Sequence, residues 1–500
     1  MPIRLSGLAS GMDTESIVAE LMSAQRLKSS KIENKKTKAE WKQDKWKDLN
    51  KKLYDFYTGS LYKLKLQSSY STRTATSSDT ARVAVTAGNG AAPGTHQIKV
   101  TQLASAQFVT GSKLGESVAS DTTLSSLSVG SGDITITNGS NIKTLTVGAD
   151  TKMSDLVNAF KEAGLNASFD NTQKRLYISS KSSGTDSAFS LTAAGTIDLS
   201  KVGLSSFSSA SNDASINLAG GGTMSFVAAK NASFDYNGAS MTSTTNTVTA
   251  NGLTFNLLGT TGTGTVSINV ANDTQAIFDK IKGFVKEYND LLKEMNDLYY
   301  ANSAKGFEPL TDDEKEAMSE EQVTKWEDKI KVSLLRRDNN LSSLIETMRT
   351  GLSQSVSLNG KNYALSSFGI KTAAYTEKGT LHINGDKEDS SVSALENDLM
   401  KALNDNPDAV METVTQLAGK LYTSLSDNVK STSLRSAMSF YNDKEISKQI
   451  TDYKEDLSEL EKKLANMESR YYKQFSAMEK AMSTMNSKSS YLTSMLGTNN

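Results

Sequence analysis

Covalent chemistry on this chain would have to start from two histidines, His96 and His382, because the sequence holds no cysteine. Thiol nucleophiles, disulfides and zinc–thiolate sites are excluded together. A serine nucleophile needs a base within reach, yet no G-x-S-x-G elbow occurs. His96 falls in a strand-like stretch and His382 in a mainly helical one, so both read as packing or surface residues. Two histidines also suit a structural zinc site poorly. Gly220–Gly222 and Gly262/Gly264 match neither phosphate-binding fingerprint and sit among Ser and Thr, as turns do. The carboxylates of Asp312-Asp313-Glu314 and Glu320-Glu321 stand at helix starts, where the helix dipole favours them. Trp41, Trp46 and Trp326 lie in helical stretches and suit packing. No catalytic, cofactor or metal residues are expected, so the chain reads as a protein that is not an enzyme.

What the residues do suggest is an interface. Met478, Met482, Met485 and Met495 alternate with many Ser, and Met side chains pack against surfaces that are not identical. A fixed seam with Met as filler is the competing reading. Upstream, Ile446, Ile450, Tyr453, Leu457, Leu460, Leu464, Met467 and Tyr471 follow strict 4,3 spacing, the heptad of a coiled coil. The seven-residue step continues through Met478, Met485 and Leu492, while Gln474 and Lys488 interrupt the second track. No Pro follows Pro407 and no Gly lies between Gly419 and Gly497, so nothing breaks a helix of about 75 Å.

A counterpart stands at the other end. Asp13 or Thr14 caps a helix whose apolar residues begin at Ile17 and Leu21 and go on through Ala39, Trp46, Leu49, Leu53 and Phe56. Thirteen basic and five acidic residues fall between Arg26 and Leu66, but the Lys lie opposite the apolar positions. That is a solvated coiled-coil face rather than a nucleic-acid arm. Neither helix can bury its stripe alone, so the two ends must meet each other or neighbours. The formal net charge of −1 gives no global field for nucleic acid or anionic membrane. No segment approaches a transmembrane span, and Met1–Met22 lacks the apolar core of a cleaved signal peptide. Freedom from cysteine suits either a cytosolic protein or one that crosses a narrow export conduit without cross-linking.

Between the helical ends the composition changes. Residues 71–270 carry 12 basic and 12 acidic side chains, about 12% charged against about 29% elsewhere, and are rich in Ser, Thr, Gly and Asn. Ile134 and Ile136 lead through Asn138-Gly139 to Leu145 and Val147, a hairpin signal. A helix on Met153, Leu156, Val157 and Phe160 follows, ended by Gly164, and strands near Phe169 and Leu176–Ile178 complete a ββαββ unit. Val83/Val85 and Ile98/Val100 before it, with Leu253–Leu257 and Val266–Val270 after it, predict a second β domain around it. Helical period returns from Thr274. The expected fold is α+β and multidomain: a discontinuous helical, coiled-coil leg built from both termini, a mixed helical layer, and two nested β-rich head domains. The expected divisions are a terminal coiled coil (1–45 and 455–500), a helical leg (46–75 and 272–454), a β-rich head (76–110 and 205–271) and a nested insertion (111–204).

Six ordered segments resemble the flagellar filament cap protein family. They are GLASGMDTESIVAELM (Gly7–Met22), Arg82–Gln107, Thr123–Asp170, Ala271–Leu292, Pro309–Asp338, and YYKQFSAMEKAMSTMNSKSSYLTSML (Tyr471–Leu496). The resemblance implies an extracellular protein at the flagellar tip, exported uncleaved by the flagellar type III route. It implies a homo-oligomeric ring of four to six subunits, a pentamer favoured, whose heads form a plate and whose legs enter the filament. Flagellin, hook–filament junction proteins and a cytosolic export chaperone are the implied partners, with no nucleic acid and no membrane insertion. Capping would promote flagellin polymerisation and prevent its loss to the medium. An adhesin role of the Ser/Thr/Asn-rich heads toward mucin or other glycans is the alternative.

Overall fold

The computed structural model describes residues 11–372 and 375–497. Positions 7–10 of the GLASGMD segment therefore lie outside the described residues. The chain divides into a helical unit, residues 1–70 with 274–500, and a β-rich unit, residues 71–273. The fold is α+β and multidomain.

Two long helices frame the helical unit. The first, Thr14–Thr58, is the N-helix; the last, Asp443–Leu496, is the C-helix and runs about 80 Å. Asp13 caps the N-helix by accepting the Ser16 amide at 3.0 Å. It ends at Gly59, whose backbone leaves the helical conformation and where a β-carbon would stand 2.4 Å from the Asp55 carbonyl oxygen. Shorter helices fill the space between, among them Thr274–Tyr299, Glu320–Ser333, Asn339–Leu352 and Pro407–Asn428. Two of their starts are written in the sequence: Ser319 with Gln322 forms a capping box before Glu320–Ser333, and Asn406 precedes Pro407 at the first turn of Pro407–Asn428. One core gathers Trp46, Leu49, Leu53 and Phe56 of the N-helix, Ile281, Phe284 and Tyr288, Leu344 and Met348, Leu417 and Leu421, and Ile446 and Ile450 of the C-helix. Asp338 caps Asn339–Leu352 and also pairs with Lys42 at 2.7 Å, fastening that helix to the N-helix.

The β-rich unit contains two cores. The outer one packs a five-stranded antiparallel sheet, in the order Arg73–Ser77, Val266–Asn272, Gly94–Gln102, Ala232–Tyr236, Ala239–Ser243. It also takes in a three-stranded sheet of Thr247–Ala250, Leu253–Leu257 and Val83–Ala87. The predicted ββαββ elements all form: Gly132–Asn138, Asn141–Val147, helix Met153–Glu162, Asn166–Asp170 and Arg175–Ser179. Their two hairpins belong to different sheets. The first pairs with Phe189–Ala193; the second joins Phe108–Thr110, Thr223–Val227 and Ala214–Asn217 in a five-stranded sheet. The inner core therefore runs from Val109 to Phe226, wider than the expected insertion at 111–204. Residues 205–222 are mostly Ser, Asn, Gly and Ala, which hid a strand pair whose only large apolar anchors are Ile216, Met224 and Phe226. Each nested unit begins and ends on a paired bridge. Arg73 is opposite Asn272, and Ser105 exchanges backbone hydrogen bonds with Lys230 at 2.9 and 3.1 Å.

Candidate assembly interface

The N- and C-helices run antiparallel, and their register is fixed by a short set of contacts. The Trp46 and Tyr441 rings stack with centroids 5.2 Å apart and planes 2° from parallel. The Phe440 amide donates to Asn50 Oδ1 at 2.7 Å, and Gln43 Nε2 donates to Ser447 Oγ at 2.9 Å. Farther along, Lys454 meets Glu40 at 3.6 Å and Arg26 meets Glu468 at 3.5 Å. These last pairs are exposed and set register more than stability. Val18, Met22 and Leu464 then form a separate small core, with Leu460, Met467, Tyr471, Tyr472 and Phe475 packed around it.

The seam has two apolar clasps and a polar middle. Between Met22 and Trp46 the N-helix turns Arg26, Ser29 and Ser30 toward Glu461, Leu464 and Glu468, around an open cleft of about 410 Å³. Tyr453 and Leu457 of the C-helix, half-buried, belong to neither core. The heptad of the C-helix is thus matched by apolar partners only at its two ends.

The expected interface residues fall into three groups. Trp46, Leu49, Leu53, Phe56, Ile446 and Ile450 are interior to the helical unit, so their stripe is already covered within one chain. Leu460, Leu464, Met467 and Tyr471 line the distal clasp, and Tyr453 and Leu457 lie between the clasps. Met478 is half-buried, whereas Met485 is 69% and Leu492 57% exposed. Ile17 and Leu21, expected at the coiled-coil or assembly interface, are not the N-helix residues in the distal core. Leu21 is 43% exposed, and the residues against the C-helix are Val18 and Met22, one position on. Both pairs are spaced i, i+4, so spacing alone could not choose between them. Beyond Lys480 the C-helix carries Met485, Tyr491, Leu492 and Met495 exposed, with Lys488 as its one charge up to Gly497.

Neither histidine is set up as a base. His96 is buried, with Nε2 2.9 Å from the Ala92 carbonyl oxygen and Nδ1 3.0 Å from the Tyr236 hydroxyl. His382 contacts Asp389 and, at 3.1 Å, Ser391 Oγ through Nδ1, and Glu377 at 2.9 Å through Nε2. Burial disfavours its cation, but the Asp389 and Glu377 carboxylates outweigh that and hold its pKa above the ordinary value. Each ring nitrogen of His382 faces a carboxylate, an arrangement that favours the imidazolium over the neutral base. A cleft of about 720 Å³ lined by Tyr288, Glu346, Arg349 and Lys371 has neither histidine on its wall. No group of three or more His, Asp or Glu side chains among the described residues is placed to hold a metal ion, and none of their helices is long and apolar enough to cross a membrane.

Residues 229–487 match the family described as flagellar hook-associated protein 2 C-terminus, and residues 10–107 match its N-terminal counterpart. The flagellar hook-associated protein 2 of Halalkalibacterium halodurans is 27% identical, over 97% of this chain and 98% of that one. The Escherichia coli K12 protein of the same name is also 27% identical, over 99% and 98%. The crystal structure of the Escherichia coli flagellar cap protein, domains D1-D2-D3, aligns with 76% of this chain and 95% of its own, at 23% identity and a TM-score of 0.48.

Proposed function

We infer the working of this molecule from one premise: the chain belongs to the flagellar hook-associated protein 2 family. It is a flagellar filament cap protein, which promotes the polymerisation of exported flagellin at the distal tip and prevents its loss to the medium. No covalent step is called for. Confinement of the incoming subunit and its orientation toward the open site supply the rate gain.

In this reading the leg is the paired N- and C-helices, and its working end is the C-helix beyond Lys480. The exposure of Met485, Tyr491, Leu492 and Met495 on a nearly uncharged stretch carries the proposal. An apolar face left open on a single chain favours burial against another protein, and flexible Met side chains fit lattice sites that differ from leg to leg. The ring holds four to six copies, a pentamer favoured, with flagellin and the hook–filament junction proteins as further partners. A cytosolic chaperone would shield the same face before export by the flagellar type III route. The relatives lend no support to the adhesin alternative.

Deleting the gene tests the capping reading. Unpolymerised flagellin should spill into the medium, and purified protein added back should restore filament growth. Motile cells that lose only surface attachment would refute it. End-on imaging of the purified oligomer reads the subunit number directly.

A further inference from the structure

We propose that the methionines at the end of the C-helix are an oxidative modification site, which hydroperoxides convert to sulfoxides while the chain is free and thereby weaken the seating of the leg. The chain has 17 methionines and no cysteine, so thioethers are its most oxidisable groups. Six of the 17 methionines are buried, whereas Met12 and Met438 are 36% and 46% exposed. Met22 is 1% exposed, and Met153, Met224, Met295 and Met348 are fully buried. Four of the 17 instead fall within 478–495, and Met478, Met482 and Met485 share one helix face by their i, i+4, i+7 spacing.

The fold explains their exposure. The antiparallel register through Arg26–Glu468 and Glu40–Lys454 brings Thr14, the first residue of the N-helix, opposite about residue 480. Past that point the C-helix outruns its partner helix, and Met485 and Met495 are 69% and 57% exposed.

The chemistry needs no protein base. The sulfur lone pair attacks the distal peroxide oxygen, an S–O bond forms and the O–O bond breaks. The sulfur loses two electrons, and the peroxide gains them and leaves with its proton as water or an alcohol. The product carries a strong dipole in place of a soft apolar group. Burying it against a lattice site costs desolvation that the thioether does not incur. At an extracellular filament tip the lesion also lies beyond cytosolic repair enzymes. The functional half of this inference rests on the docking role given to the same helix end.

The test treats purified full-length protein with hydrogen peroxide and follows each methionine by peptide mass spectrometry. Met485 and Met495 should oxidise at least about tenfold faster than Met22, Met295 and Met348, in line with their exposure. Equal rates would overturn the site. Protein oxidised only on the 478–495 stretch should then restore filament growth in the deletion strain at least about fivefold less well, and treatment with methionine sulfoxide reductases should recover it. Undiminished growth, or a loss that the reductases do not reverse, overturns the functional half. Failure of untreated protein to restore growth refutes the capping reading instead, and with it this consequence; the oxidation map is read independently of either.

Discussion

Trp46→Ala is the sharpest probe of how the two ends of the chain are joined. The indole is fully buried, stacked on Tyr441, and sits in one core with Leu49, Leu53, Ile446 and Ile450. Truncating a buried Trp costs about 3–5 kcal/mol through lost transfer energy and the cavity left behind. The aromatic pair accounts for about 0.5–1.5 kcal/mol beyond area. Trp46→Phe should cost far less, below about 2 kcal/mol, since Trp46 Nε1 is buried without a hydrogen-bond partner and its removal relieves an unpaired donor. Leu457→Ala serves as the control, at below about 1 kcal/mol, because that side chain is half-buried outside both cores. Urea unfolding followed by tryptophan fluorescence is a clean assay. All three tryptophans belong to the helical unit, and Trp41 and Trp326 remain as reporters in the variants. A Trp46→Ala loss no larger than that of Leu457→Ala would refute the reasoning, as would a Phe variant as damaged as the Ala variant.

Other expectations follow from single sites. His382 has a folded pKa raised by its carboxylate neighbours, so its stabilisation is complete below about pH 6.5 and is lost as pH rises through the raised value. The stability advantage of wild type over His382→Gln should shrink as pH rises above about 6.5 in urea titrations, and a growing advantage would contradict the pairing. Gly130 has φ +89°, and a β-carbon there would stand 2.2 Å from the Thr196 carbonyl oxygen. Gly130→Ala should therefore destabilise the inner β core by at least about 2 kcal/mol, read as faster hydrogen exchange over residues 109–226. Limited trypsin digestion of free protein should cut first within roughly the first 45 and last 45 residues, since the distal clasp has only Val18, Met22 and Leu464 fully in its core. Protection of both ends in dilute monomer would count against it.

Much of this architecture is legible in residue spacing. The 4,3 repeat from Ile446 marks the oily face of the C-helix, and Asn138-Gly139 marks its hairpin, with the two residues flanking the turn paired as Asn138 and Asn141. A repeat says which face is apolar but not what covers it. Trp46 and Ile450 went to a core shared with distant helices, while Tyr453 and Leu457 stayed half-buried outside both cores. The choice of Val18 and Met22 over Ile17 and Leu21 was set by where the C-helix lies, which no local pattern contains. The reach of the inner β core to Phe226 was hidden for a different reason. Strand pairing there rests on three apolar side chains in a Ser-rich stretch, too few to show a period.

The bridges Arg73–Asn272 and Ser105–Lys230 make the two nested units behave like bracketed clauses. Whatever lies inside a bracket enters and leaves at neighbouring points, so its length and surface can change without lengthening the path of the chain outside. Lineages could exchange such cassettes freely while the register of the helical frame stays untouched. Shortening the chain from Thr72 directly to Asp273, whose backbones already meet at 3.0 Å, should leave a closed scaffold ready to carry a different outer face.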